Sequence, residues 1–195
     1  MTSQQQVRGI EQTLLDSLGS IKDNNIGSQI TAALALIQMN VTPVIAIHIP
    51  FGGDNHHDNG LAVETAQTVS GVAAIGSLMA QLAAAGLQDR VSLLSLNVFG
   101  RTLGPSNIDG RQHNQNHQVS LAIGKPFRGG VIWAVGAMGG DYGSLAINSS
   151  TGVGANGGDI APLDSLASFG KTALAAIGGD TSTVSSGAVV KAALA

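Results

Sequence analysis

The feature that most limits the fold is a pair of apolar runs with no obvious wet face. "TPVIAIHIP", residues 42–50, is β-branched and apolar at odd and even positions alike. "RVSLLSLNVFG", residues 90–100, reads as a second strand of the same kind. Such runs suit strands covered on both faces, as in a parallel sheet, better than strands with one side in water. Between them Val69, Val72, Ile75, Met79 and Leu82 recur at spacings of three and four, which predicts a long helix closed by Gly86.

The same periodicity predicts a helix over 7–22, through Ile10, Leu14, Leu18 and Ile21. "DNN" interrupts it, and "IGSQITAALALIQMN" predicts a second helix ending near Asn40. Further strands are expected at "VSLAIG" and "GGVIWAVG", with residues 137–162 Gly-rich and irregular. Pro162 opens a last helix that ends at Gly178, with Leu166, Phe169, Ala173 and Leu174 on one side. Strands alternating with helices predict a layered α/β/α fold around a mostly parallel sheet. The expected organisation is one domain over 1–195: a helical segment to about residue 40, a sheet core over 41–135, then a Gly-rich segment and helix over 136–195.

Composition narrows the function. Charged residues are 11% of the chain, less than half of the usual ~25%. The net charge of -3, scattered basic residues and few aromatics argue against nucleic acid as a partner. Cysteine is absent, which removes disulfides, thiolate metal sites and a cysteine nucleophile. "MTSQQQVRG" lacks the apolar core of a signal peptide, and no apolar run reaches membrane-spanning length. Gly-rich pieces such as "VGAMGGDYG" lack the strand–GxGxxG–helix order of a dinucleotide site, and no serine sits in GxSxG.

All five histidines fall between positions 48 and 117. His48 lies within the first run and reads as a core or strand-end residue. Asp54, His56 and His57 share the loop "FGGDNHHDNG", while His113 and His117 share "GRQHNQNHQ". Carboxylate and imidazole together suit a divalent cation, Zn or Ca-like according to their ratio, though solvated loop side chains would read the same way. Both loops follow strands, so both are expected at the carboxyl edge of the sheet. Arg101 and Arg111 are candidates to clamp a small anion such as phosphate or sulfate. Equally, Arg101 has Asp109 within reach as an ion-pair partner, and Arg111 has Asp54 or Asp58.

Taken in order, "FGGDNHHDN", "DRVSLLSLNVFGRTLG", "GRQHNQNHQVSLAIG", "FRGGVIWAVGAMGGDYG" and "LASFGKTALAAIGGD" resemble the C-terminal half of exported bacterial proteins grouped as "domain of unknown function 1501". That family is classed with the sulfatase-like and alkaline-phosphatase-like hydrolases. The resemblance implies an alkaline-phosphatase-like fold at half length, and metal ligands at Asp54, His56, His113 and His117, with His57 beside them. It matches Arg101 to the family's Phe-Gly-Arg arginine and implies a periplasmic or secreted protein. Val98 and Gln112 stand where the family tends to have Glu and Asp, and the half that carries the family's nucleophile has no counterpart here. Thr102, Ser106 and Asn107 lie in the second loop without any mark of activation.

The expectation is therefore a catalytically degenerate protein with a binding or assembly role. A metal-dependent hydrolase of phosphate or sulfate esters is the alternative. A half sheet would expose apolar surface, so a homo-oligomer is expected.

Overall fold

The computed structural model describes residues 12–51, 53–97, 99–104, 109–132 and 134–195. The first residues of the expected 7–22 helix, Val98, Ser106 and Asn107 lie outside this set. The chain divides into two compact units. One runs up to Asp54 and takes in Leu61–Gly86; the other comprises Asn55–Gly60 and Leu87–Ala195.

In the first unit, residues 12–19 form α1, Ile26–Gln38 form α2 and Ala62–Ala84 form α3. The "DNN" that breaks the periodicity is a cap. The Asn25 side chain accepts the Ser28 N–H at 3.0 Å, and the Asp23 carboxylate accepts the Ser28 hydroxyl at 2.7 Å. The chain leaves α3 through Gly86 at φ +68°, a left-handed conformation that glycine adopts without strain. Helix α2 packs on α3. Leu14, Ile30, Ala33, Ala35, Ile75, Leu78 and Leu82 are buried, and each large member stabilises the unit by about 1.5–3 kcal/mol.

The run 42–50 is not a strand. No ladder forms along it, Val44 is 79% exposed, and the His48 N–H is held by the Gln29 side-chain oxygen at 2.7 Å. His48 is likewise exposed rather than in the core. The run is anchored at its end by Phe51. A Cβ on Gly71 of α3 would lie 2.7 Å from the Phe51 ring, so the ring seats where the helix has no side chain.

The second unit holds three two-stranded antiparallel ladders. Leu93–Leu94 (β1) pairs with Ala122–Ile123 (β4), Gly100–Arg101 (β2) with His113–Asn114 (β3), and Val135–Met138 (β5) with Asp141–Ser144 (β6). No parallel pair occurs among the described residues. This overturns the expected layered α/β/α architecture and its alkaline-phosphatase-like form. Apolar side chains on both faces show that a segment is free to be buried. They do not supply the hydrogen-bonding neighbours on both edges that a central parallel strand needs.

The 137–162 segment also departs from expectation. Met138–Gly139–Gly140–Asp141 closes a tight hairpin between β5 and β6, with both glycines at positive φ, +59° and +87°. Two adjacent positive-φ residues are what a two-residue hairpin turn of matching twist requires. Farther on, Pro162–Asp164 is a single tight turn that leads into α4, Ser165–Ala176. The buried face of α4 is not led by Leu166, which is 55% exposed, but by Ser168 and Thr172. Their hydroxyl oxygens accept the N–H groups of Ala188 (3.0 Å) and Val190 (2.9 Å), so the chain after the helix is tied back across it. Among the described residues no helix is long and apolar enough to cross a membrane.

Candidate functional site

The two expected site loops meet in the second unit. Asn55 joins them through its backbone: its carbonyl accepts the N–H of Arg111 at 3.1 Å and that of Asp58 at 3.4 Å. Gly110 makes that approach possible, because a Cβ there would run into the Asn55 carbonyl oxygen. Beyond β2 and β3 the two arms stay paired. The Thr102 N–H donates to Gln112 O at 3.0 Å, and the Gln112 N–H donates to the Thr102 hydroxyl, also at 3.0 Å.

In the β2–β3 register Arg101 lies directly opposite His113. The connection through Asn55 brings His56 onto this pair, with the Nε2 atoms of His56 and His113 3.0 Å apart. Arg101 Nη1 lies 3.4 Å from the same His56 nitrogen. Phe99 stacks against the His113 ring at 4.1 Å between centroids, and the Arg101 guanidinium sits 5.5 Å from the Phe99 centroid. An imidazole nitrogen carries either one lone pair or one hydrogen. If His113 donates to His56, the guanidinium competes for the same lone pair. If His56 donates, the guanidinium faces another N–H. Either way, three side chains able to donate hydrogen bonds converge at His56 Nε2.

The other expected ligands are placed differently. His57 is exposed. His117 is buried with Nε2 unpartnered, and lies against Gly100, where a Cβ would be 2.5 Å from its Nδ1. Asp54 is exposed and belongs to the first unit. Arg111 donates from Nη1 to the Thr102 carbonyl at 2.6 Å, which uses it as a brace for the loop. Asp58 is buried. Among the described residues no group of three or more His, Asp or Glu side chains is arranged to hold a metal ion.

Residue-type reasoning passes over Asn55, Phe99, Gly110, Asn114 and Asp141. Asp141 opens β6, and its Oδ1 accepts the N–H groups of Leu103 (2.8 Å) and Gly104 (2.7 Å) while Oδ2 accepts the Asn114 amide at 2.7 Å. Burial acts against its charge. The Gly104 and Leu103 N–H groups, with Asn114, outweigh that and hold the carboxyl below its ordinary 3.8. Asp159 is lowered too, first by the Ser149 hydroxyl and then by the Ser149 N–H. A carboxyl depressed in the folded state contributes stability that is complete above its unfolded value and lost as pH falls through the folded one. Acid loosening should therefore begin only below the ordinary 3.8 of these groups. In an acid titration followed by amide circular dichroism, a transition complete well above that pH would contradict the assignment.

No family model, curated protein or solved structure matches this chain.

Proposed function

We propose that this protein has a binding or assembly role without turnover, and that it takes a small oxyanion, phosphate or sulfate, at His56, His113 and Arg101. The observation that carries the reading is the convergence of three nitrogen-bearing side chains at His56 Nε2, with His113 Nε2 at 3.0 Å and Arg101 Nη1 at 3.4 Å. A tetrahedral oxyanion offers several acceptors and negative charge, which suits a convergence of imidazole and guanidinium groups. Descent from sulfatase-like hydrolases and export to the periplasm belong to the same proposal, and rest on the loop resemblance alone. Among the described residues no activated nucleophile stands beside the cluster: the Thr102 hydroxyl is engaged with the Gln112 N–H.

A metal-dependent hydrolase is the second reading, and the ring spacing favours it. Two nitrogens held about 2.1 Å from one tetrahedral cation lie about 3.4 Å apart, so the rings would need to part by only a few tenths of an ångström to admit one. Against it stands the Arg101 guanidinium, 3.4 Å from the nitrogen a cation would use. Titrating the protein with inorganic phosphate and, separately, with Zn2+ decides between them. Saturable phosphate binding without added metal supports the oxyanion. Phosphate binding only after Zn2+ uptake, with hydrolysis of a generic phosphate ester, supports the hydrolase. The assembly part is supported by Val69 and Val72, neighbours on α3 that are 66% and 58% exposed. A clean monomer in sedimentation at high concentration would remove it.

A further inference from the structure

We infer that Asp141 is the positioning residue of this site, a clip that sets the separation of Arg101 and His113; the inference rests on the oxyanion reading above. The β2–β3 ladder has two residue pairs, Gly100 with Asn114 and Arg101 with His113, extended by the two Thr102–Gln112 hydrogen bonds. A ribbon that short does not hold its own geometry in water. Asp141 grips both of its arms from outside. Through Oδ1 it takes the N–H groups of Leu103 and Gly104, which follow the Arg101–Thr102 arm, and through Oδ2 it takes the amide of Asn114, the residue next to His113.

The grip is fixed at its base. Asp141 opens β6 of the β5–β6 hairpin, Asn114 also donates to the Tyr142 carbonyl at 2.9 Å, and the Ser144 N–H and hydroxyl both donate to the Asn116 carbonyl. The Asn114 side chain is buried, and its Oδ1 accepts the Asn116 N–H at 2.9 Å, so the amide has little freedom to swing away. Only a carboxylate suits this place, because both oxygens meet donors. An asparagine of the same size would turn its NH2 either on two backbone N–H groups or on the Asn114 NH2.

The test compares Asp141→Asn with Asp159→Asn. Asp159 is likewise a carboxylate held by a backbone N–H and a side chain, but its partners are on Ser149 and include no residue of the cluster. Phosphate affinity is measured on folded protein, together with the ring proton signals of His56 and His113. Asp141→Asn is expected to weaken phosphate binding about tenfold and to move the His113 ring signals. Asp159→Asn is expected to stay within about twofold of the unaltered protein. Should Asp141→Asn fail to fold, Asn114→Ala cuts one limb of the clip and is expected to weaken binding in the same direction. Unaltered affinity and ring signals in the folded Asp141→Asn protein, or in Asn114→Ala where that stands in for it, overturn the clip. Absence of phosphate binding by the unaltered protein overturns the oxyanion reading instead, and the ring signals then decide the clip alone.

Discussion

Arg101→Ala should lower affinity for inorganic phosphate by about 10- to 100-fold, the equivalent of removing a charge-assisted hydrogen bond worth ~1.5–3 kcal/mol. The guanidinium is the group of the cluster whose planar fork of N–H donors matches two oxyanion oxygens. It is directly opposite His113 in the ladder and 3.4 Å from His56 Nε2, so its loss removes the guanidinium from the point where the three side chains converge. Part of the effect is indirect, because the guanidinium also lies over Phe99, which stacks on His113. Arg101→Lys should not restore binding, since an ammonium lacks the planar fork that meets two oxygens at once. His113→Ala should lose about tenfold on the same scale. Isothermal titration with phosphate, with sulfate as a second ligand, reads all three. Equal affinity in Arg101→Ala and the unaltered protein would remove Arg101 from the site.

Gly110→Ala is expected to destabilise the second unit by about 3 kcal/mol and to abolish phosphate binding with it, the upper part of the range for overpacking. The added methyl would lie on the Asn55 carbonyl oxygen, and 2.9 Å from the carbonyl carbons of Asn55 and His56. These are backbone atoms, so no side-chain rotation relieves the contact. The Asn55–Arg111 hydrogen bond would have to open, and with it goes the placement of His56 on His113. Gly76→Ala serves as the control. Nothing lies within 4 Å of a Cβ at Gly76, which sits inside α3, so that change should stabilise by ~0.5–1 kcal/mol. Chemical denaturation of the two variants separates a tight approach from a general effect of removing glycine. A Gly110→Ala protein of full stability would show that the loops do not meet as described.

The helices were legible because their signals are local. Val69 to Leu82 mark α3 at helical spacing, Gly86 closes it, and Pro162 and Gly178 bracket the last helix. The strands were misread because their signal is not local. In a chain with so few charged residues an apolar run such as 42–50 is common, and it becomes a strand only where a partner edge is presented. The burial of Ser168 and Thr172 ahead of Leu166 has the same origin, since their partners lie some twenty residues on, at Ala188 and Val190.

By itself the sequence determined which side chains were available for chemistry: no thiol, few charges, and all five histidines between positions 48 and 117. It also determined the helices, whose hydrogen bonds close within four residues. Only the tertiary structure decided that His56 and His113 meet while His57 stays in water and His117 is buried beside Gly100. It alone made Asp141, a residue of the Gly-rich stretch, a support for both arms. The physical reason is common to these cases: each depends on contacts between residues dozens of positions apart, and the spacing of residue types along a chain carries no record of such contacts.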